Sequence, residues 1–400
     1  MIAWLVSIIL IPSGIMMFEA FERKENHTYS PILNWLSDLI PRHPWAFIII
    51  PLMISFTAIY KIKDLSTDAS LMDDLRPQNK LYQDLKMTEK YFGGVLPFEV
   101  LLKLDKENQE SKKTVLDPAV FSYLQDIEDL LNKELKNSRF FSLSTFLKSI
   151  KRIRGEPDSI LYSSTTIEQI LNVREKGQPK LIDRKQSTLR ITGLIENKTS
   201  SEMEEIYAKL DSLSKSFPSY LSIECTGTTV VALRTNDYLV QSLVNSLGIA
   251  LLLISIVMAF MFRRKSILFA SLITNLIPIF TVLGILSWLG ISIRPPTAMT
   301  FSVALGIAVD DSLHFLLRYR KELRQGSNRV EAIKATIINT GSALMITTTI
   351  LVSGFSVLLL SAFLPTYQFG MLAAGMIGTA LLCDLTLLPA LCLVLPNEES

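Results

Sequence analysis

The residues most able to do chemistry in this chain fall in one stretch. Asp310 and Asp311 stand side by side within Gly306-Ile-Ala-Val-Asp-Asp-Ser-Leu-His-Phe-Leu-Leu-Arg-Tyr-Arg320, in an apolar run that opens near Thr297 and closes on Arg318, Arg320 and Lys321. A charged carboxylate in hydrocarbon is costly, so such residues face a protein interior or a watery cavity and serve ion or proton movement. Two adjacent carboxylates in a low dielectric repel each other, and such a pair can load and release protons at physiological pH. Ser302, Gly306, Asp310, His314 and Arg318 follow at i,i+4 steps and share one helical stripe. Small residues at one end of the stripe let another helix approach closely, and charged ones gather towards the other. His314, one turn from Asp310, is a third titratable candidate, or else a histidine satisfied near the interface.

Two other apolar runs carry polar groups at a matching depth. With a rise of about 1.5 Å per residue, Asp310 lies about 20 Å in from the outer end of its span. Asp384, in Leu381-Leu-Cys-Asp-Leu-Thr-Leu-Leu-Pro389, lies about 22 Å in from the outer end of a parallel span. Thr347-Thr348-Thr349, on a span of opposite sense, falls about 18 Å from that same face. Asp310, Asp311, His314, Asp384, Thr347 and Thr348 are therefore the candidate members of a buried proton relay. Each has a plainer role open to it: a threonine bonds its own helix backbone, and Asp384 caps or pairs near the inner headgroups.

The elements that must hold these residues follow from composition. The chain has 400 residues, 49% hydrophobic yet 20% charged, with a mean hydropathy of +0.33. That balance suggests a membrane bundle joined to a large polar domain. Residues 1–18 read as an N-terminal apolar span, 19–44 as a cytoplasmic linker and 45–62 as a transmembrane span. The 1–18 run contains Ile9-Leu-Ile-Pro12, which echoes Leu387-Leu-Pro389, so it is either a plain anchor or the last span of an earlier equivalent half. Residues 63–237 have soluble composition. Strands are expected at 98–105, 187–194 and 220–225, helices at 117–135 and 200–217, and loop over 150–185, together an α+β domain. Residues 238–395 return to five apolar spans. A helix at 322–339 is expected to lie along the cytoplasmic face, or to be a solvated connector.

Basic residues cluster at Arg263-Arg-Lys265 and between Arg318 and Lys334, whereas the alternate loops hold only Arg294. This asymmetry puts the basic loops in the cytoplasm and residues 63–237 outside, periplasmic or extracellular, in a multi-pass protein of the cell (inner) membrane. Three cysteines and three histidines show no disulfide framework or metal-ligand spacing, and residues 63–237 contain no histidine. No nucleophile–base pair stands out, so neither an enzyme nor a cofactor is expected. A net charge of +2 without a basic, aromatic-rich patch gives no sign of nucleic acid.

Ile291 to Arg320 resembles the fourth-span motif of the resistance–nodulation–division (RND) superfamily, above all its MMPL-like, Patched-related branch. Phe92-Gly-Gly94, Thr226-Gly-Thr228, Asn275-Leu-Ile-Pro278, Gly354-Phe355 and Asp384-Leu-Thr-Leu-Leu-Pro389 agree with that branch, in order, between about Arg42 and Leu395. The resemblance implies an RND-type polytopic α-helical membrane bundle of about six spans, plus the N-terminal one, with an extracytoplasmic porter domain of ferredoxin-like α+β units. It implies export of hydrophobic or amphipathic molecules, lipids foremost, driven by the proton-motive force, with Asp310 as the relay carboxylate. Many members of the branch have Tyr where Asp311 stands, whereas drug-efflux pumps carry Asp-Asp, so both substrate branches stay open. Complete members have two such halves, and this chain resembles the C-terminal one. Its partner would be a second copy or a separate chain. A different class shares the bundle: a sterol-sensing-domain-like lipid sensor or scaffold without transport.

Overall fold

The computed structural model describes residues 30–63, 70–104, 117–154, 187–262 and 264–396, with Ser13, Leu65, Asp68, Val115 and 181–183. The expected span at 1–18 lies outside the described residues apart from Ser13, as do 19–29 of the linker and 155–180 of the expected loop.

The polar domain is built on a four-stranded antiparallel sheet. Strands β1 (Leu96–Leu104), β2 (Arg139–Phe141), β3 (Thr188–Ile195) and β4 (Leu221–Thr226) stand in the order β2-β3-β1-β4. In β1 alternate residues Phe98, Val100 and Leu102 are fully buried, as a strand with one covered face requires. They pack with Leu124, Ile127 and Leu131 of α4 (Pro118–Glu134) and Met203 and Leu210 of α6 (Ser200–Ser214). Thr199 and Glu202 form a capping box that starts α6. Helices α3 (Lys80–Phe92) and α5 (Leu143–Arg154) complete the described part. Residues 150–154 thus finish a helix rather than begin a loop. Strand β2 has three residues, too few for a readable alternation.

Among the described residues, six helices are long and apolar enough to cross a membrane: α2 (Pro44–Ile62), α7 (Thr228–Phe262), α8 (Lys265–Trp288), α9 (Pro295–Arg324), α10 (Arg329–Ser356, extended by a 3-10 turn to Leu360) and α11 (Leu364–Val394). Helix α11 is the most buried of them, and α7 and α10 are the least. Helix α7 runs unbroken from the sheet domain, where Val230 and Leu233 join the core, into the bundle. The expected boundary at 237/238 falls inside this helix. Helix α2 lies so close to α8 that a Cβ at Gly284 would stand 2.3 Å from the Ala58 Cβ.

The helix expected at 322–339 is not one element. Gly326, at φ +93°, follows the end of α9, and Asn328 with Glu331 forms a capping box that opens α10. Residues 322–324 therefore close one span and 329–339 begin the next. The amphipathic element at this end is instead α1 (Ser30–Arg42), which buries Leu33 and Ile40 and pairs Asp38 with Lys334 at 2.5 Å.

At the opposite end, where α2 leads into the sheet domain, residues 70–76 touch three parts of the chain. Asn197, between β3 and α6, accepts from the Met72 backbone N–H (3.3 Å) and donates to Ser70 Oγ (2.8 Å). Buried Arg294, the N-cap of α9, donates to Asp74 (2.7 Å) and Asp73 (3.2 Å). Arg76 donates to the Ser361 carbonyl (2.9 Å), and its guanidinium lies 4.7 Å from the centre of the Tyr367 ring at the start of α11.

Candidate functional site

The polar residues of α9 divide between two faces because successive side chains turn by about 100°. Asp310 and His314 stand on an open stripe, with Nε2 to Oδ1 at 3.6 Å and side chains 68% and 62% exposed. Gly306 lies on the same stripe, and a methyl group added there would meet nothing within 4 Å. Among the described residues, no helix fills the space beside it. Facing the stripe from α10 is Thr347, and together these residues line an open cavity of about 1250 Å³. Its inner rim holds Arg318, Lys321 and Asn339, with Arg318 bonded to Glu322 at 2.6 Å. Thr347 also donates to backbone carbonyls of its own helix, Ala343 (3.1 Å) and Leu344 (3.0 Å).

Asp311, the next residue, borders the cavity but is only 9% exposed. Thr348 of α10 is buried, and its hydroxyl has no hydrogen-bond partner among the described residues. One residue further, Ser312 is wholly buried and points into the bundle, where its hydroxyl donates to Asp384 Oδ1 at 2.5 Å. Asn275 Oδ1 of α8 stands 3.5 Å from the same hydroxyl, and the Asn275 amide donates to the Ser271 carbonyl at 2.8 Å.

The structure thus brings Asp310, Asp311, His314 and Thr347 to one cavity and sets Asp384 behind it. Asp384, at 1% exposure, lies ten residues before the end of α11, so it is neither a helix cap nor a headgroup partner. Ser312 and Asn275 were not among the candidates drawn from the sequence. The signal for them was present: Ser271 and Asn275 stand i,i+4 in a largely apolar run, and polar groups inside a bundle need partners. Chemically, an exposed carboxylate at the cavity borders a buried one, with hydroxyls and an amide alongside. Such a set can pass a proton inward or hold it.

Residues 182–398 of the chain match the MMPL family. The chain is 23% identical over 378 residues to the membrane protein MJ1562 of Methanocaldococcus jannaschii, covering 91% of this chain and 94% of that one. It is 35% identical over 106 residues to the membrane protein ActII-3 of Streptomyces coelicolor, 26% of this chain and 15% of that one. It is also 24% identical over 237 residues to the multidrug resistance protein MdtC of Escherichia coli K12, 57% of this chain and 22% of that one. It therefore spans nearly all of MJ1562 and less than a quarter of each of the other two.

Proposed function

The chain belongs to the MMPL family, and from that premise we propose that it is a membrane transporter working as half of a proton-driven exporter of hydrophobic or amphipathic molecules, lipids foremost. The observation that carries this reading is the cavity at mid-bundle in which Asp310, Asp311 and His314 meet Thr347, backed by the sealed Ser312–Asp384 pair. A carboxylate as exposed as Asp310 is not stable against lipid tails. A second bundle covers this face, from another copy or from a separate chain. A two-fold arrangement would set two such cavities against each other across an isologous contact.

In this mechanism protonation of the Asp310–Asp311 pair removes charge from the cavity and lets α9 shift against α10 and α11. Each charge crossing 100 mV supplies about 2.3 kcal/mol. The sheet domain, whose antiparallel order β2-β3-β1-β4 suits a ferredoxin-like porter unit, lies outside, and the basic loops lie in the cytoplasm. The likeness to MdtC favours efflux.

Proteoliposomes of the full chain, carrying a fluorescent phospholipid or an amphipathic cationic dye, test the proposal under an imposed pH gradient. Gradient-driven movement of either probe is expected, lowered about tenfold or more in Asp310→Asn. An Asp310→Asn protein that folds and moves the probes at the original rate overturns it.

A further inference from the structure

Arg294 is the one basic residue in the loops opposite the basic end, and it is buried. A buried guanidinium needs a structural or functional partner, since an unpaired one is strongly disfavoured. Its partners Asp73 and Asp74 sit in the 3-10 turn that leads from α2 into the sheet domain. Arg294 also belongs to α9, because its backbone N–H donates to Thr297 Oγ1 at 2.7 Å and so fixes it as the helix N-cap. The same turn reaches α11 through Arg76 and through a β-bridge between Leu75 and Phe363. On its other side it is held to the sheet domain by Asn197. The helices gripped in this way are the two that carry Asp310, Asp311, Ser312 and Asp384.

We propose that the turn at residues 70–76 is the joint through which rearrangement of α9 and α11 is passed to the sheet domain, with Arg294 as its positioning residue. The proposal rests on the proton-driven reading above. Two charge-assisted bonds from one planar guanidinium fix direction as well as distance. A shift of α9 along or about its axis therefore moves Asp73 and Asp74 with it. Asn197 then carries the displacement to the β3–α6 connection. Among the described residues, this route ties the site-bearing helices to the domain alongside α7, which is continuous with both parts.

The test needs neither substrate nor a pH change. Hydrogen–deuterium exchange is measured on the full chain in nanodiscs, with and without the neutralising pair Asp310→Asn/Asp311→Asn, in wild-type and Arg294→Ala backgrounds. In the wild-type background neutralisation is expected to change protection around residues 306–316 and, by about threefold or more, at 70–76 and 196–203. With Arg294→Ala the change at 306–316 stays and the change at 70–76 and 196–203 is lost. The swap Arg294→Asp/Asp74→Arg restores it in part, which a merely structural role would not do. If Arg294→Ala fails to fold, Arg294→Lys and Asp74→Asn are measured instead, and each is expected to reduce the outer change. A response at 70–76 that persists in all these variants overturns the joint alone. No response at 306–316 on neutralisation removes the proton reading, and the joint with it.

Discussion

Ser312→Ala is the substitution whose effect follows most directly from the described geometry. The Ser312 hydroxyl is wholly buried and makes the hydrogen bond to Asp384 Oδ1, while Asp384 Oδ2 has no partner among the described residues. Removing the hydroxyl leaves a carboxyl group at 1% exposure without a hydrogen bond from the described residues. The cost of stranding such a group is about 1–3 kcal/mol, more than the small net gain of forming an ordinary hydrogen bond. At about 2–4 °C per kcal/mol, the thermal midpoint in mild detergent should fall by roughly 2–12 °C. The specificity of the effect is checked by a double-mutant cycle with Asp384→Ala. Once the carboxyl is gone, Ser312→Ala should cost under about 0.5 kcal/mol, because it is no longer there to strand and only the long 3.5 Å contact to Asn275 Oδ1 is lost. A Ser312→Ala protein within about 0.5 kcal/mol of wild type, or one that loses as much in the Asp384→Ala background, would refute the reasoning.

Other consequences are independent of that pair. Gly284→Ala places a Cβ 2.3 Å from the Ala58 Cβ and 2.5 Å from its Cα, so α2 must move off α8 at a cost of about 1–3 kcal/mol in a thermal-unfolding assay, and Ala58→Gly should restore little of the loss because the backbone contact remains. Burial pushes the Cys225 thiol in β4 up to about 11, which leaves about one molecule in ten thousand as thiolate at pH 7. Cys225 in folded protein should therefore react slowly with a maleimide at pH 7, faster as pH rises towards 11, and fast once the protein is unfolded. A rapid reaction at pH 7 would contradict the half-buried placement and the raised thiol pKa.

Much of this architecture was legible in the chain because its signals are strong and local. Apolar runs of membrane length mark the spans, and the alternation of Phe98, Val100 and Leu102 marks β1. The amphipathic run at 200–217 marks α6, which ends at Ser214. Legibility failed where a short feature cut across a longer pattern. Residues 322–339 look like one amphipathic stretch, but Gly326 and the Asn328 cap divide them. At the site, the i,i+4 stripe of α9 put Asp310 and His314 together, as the structure does. What it did not convey is that Asp311 and Ser312 turn inward, so that Asp384 meets Ser312 and not the cavity. Nor did it show that the stripe stands uncovered, since whether a helix packs there depends on where α10 and α11 lie. Arg294 was visible only as an exception to the charge pattern, and its pairing with Asp73 and Asp74 joins residues more than two hundred positions apart.

The central claim is that protons act at the Asp310 face, and a proton flux measurement tests it most directly. Full-length protein is reconstituted in liposomes loaded with a pH-sensitive dye, a pH step is imposed, and the rate is read with and without the fluorescent phospholipid as cargo. The account predicts a protein-dependent flux that rises with cargo and falls to the empty-liposome rate in Asp310→Asn. A wild-type flux no greater than that of empty liposomes, or an undiminished flux in Asp310→Asn, would contradict it.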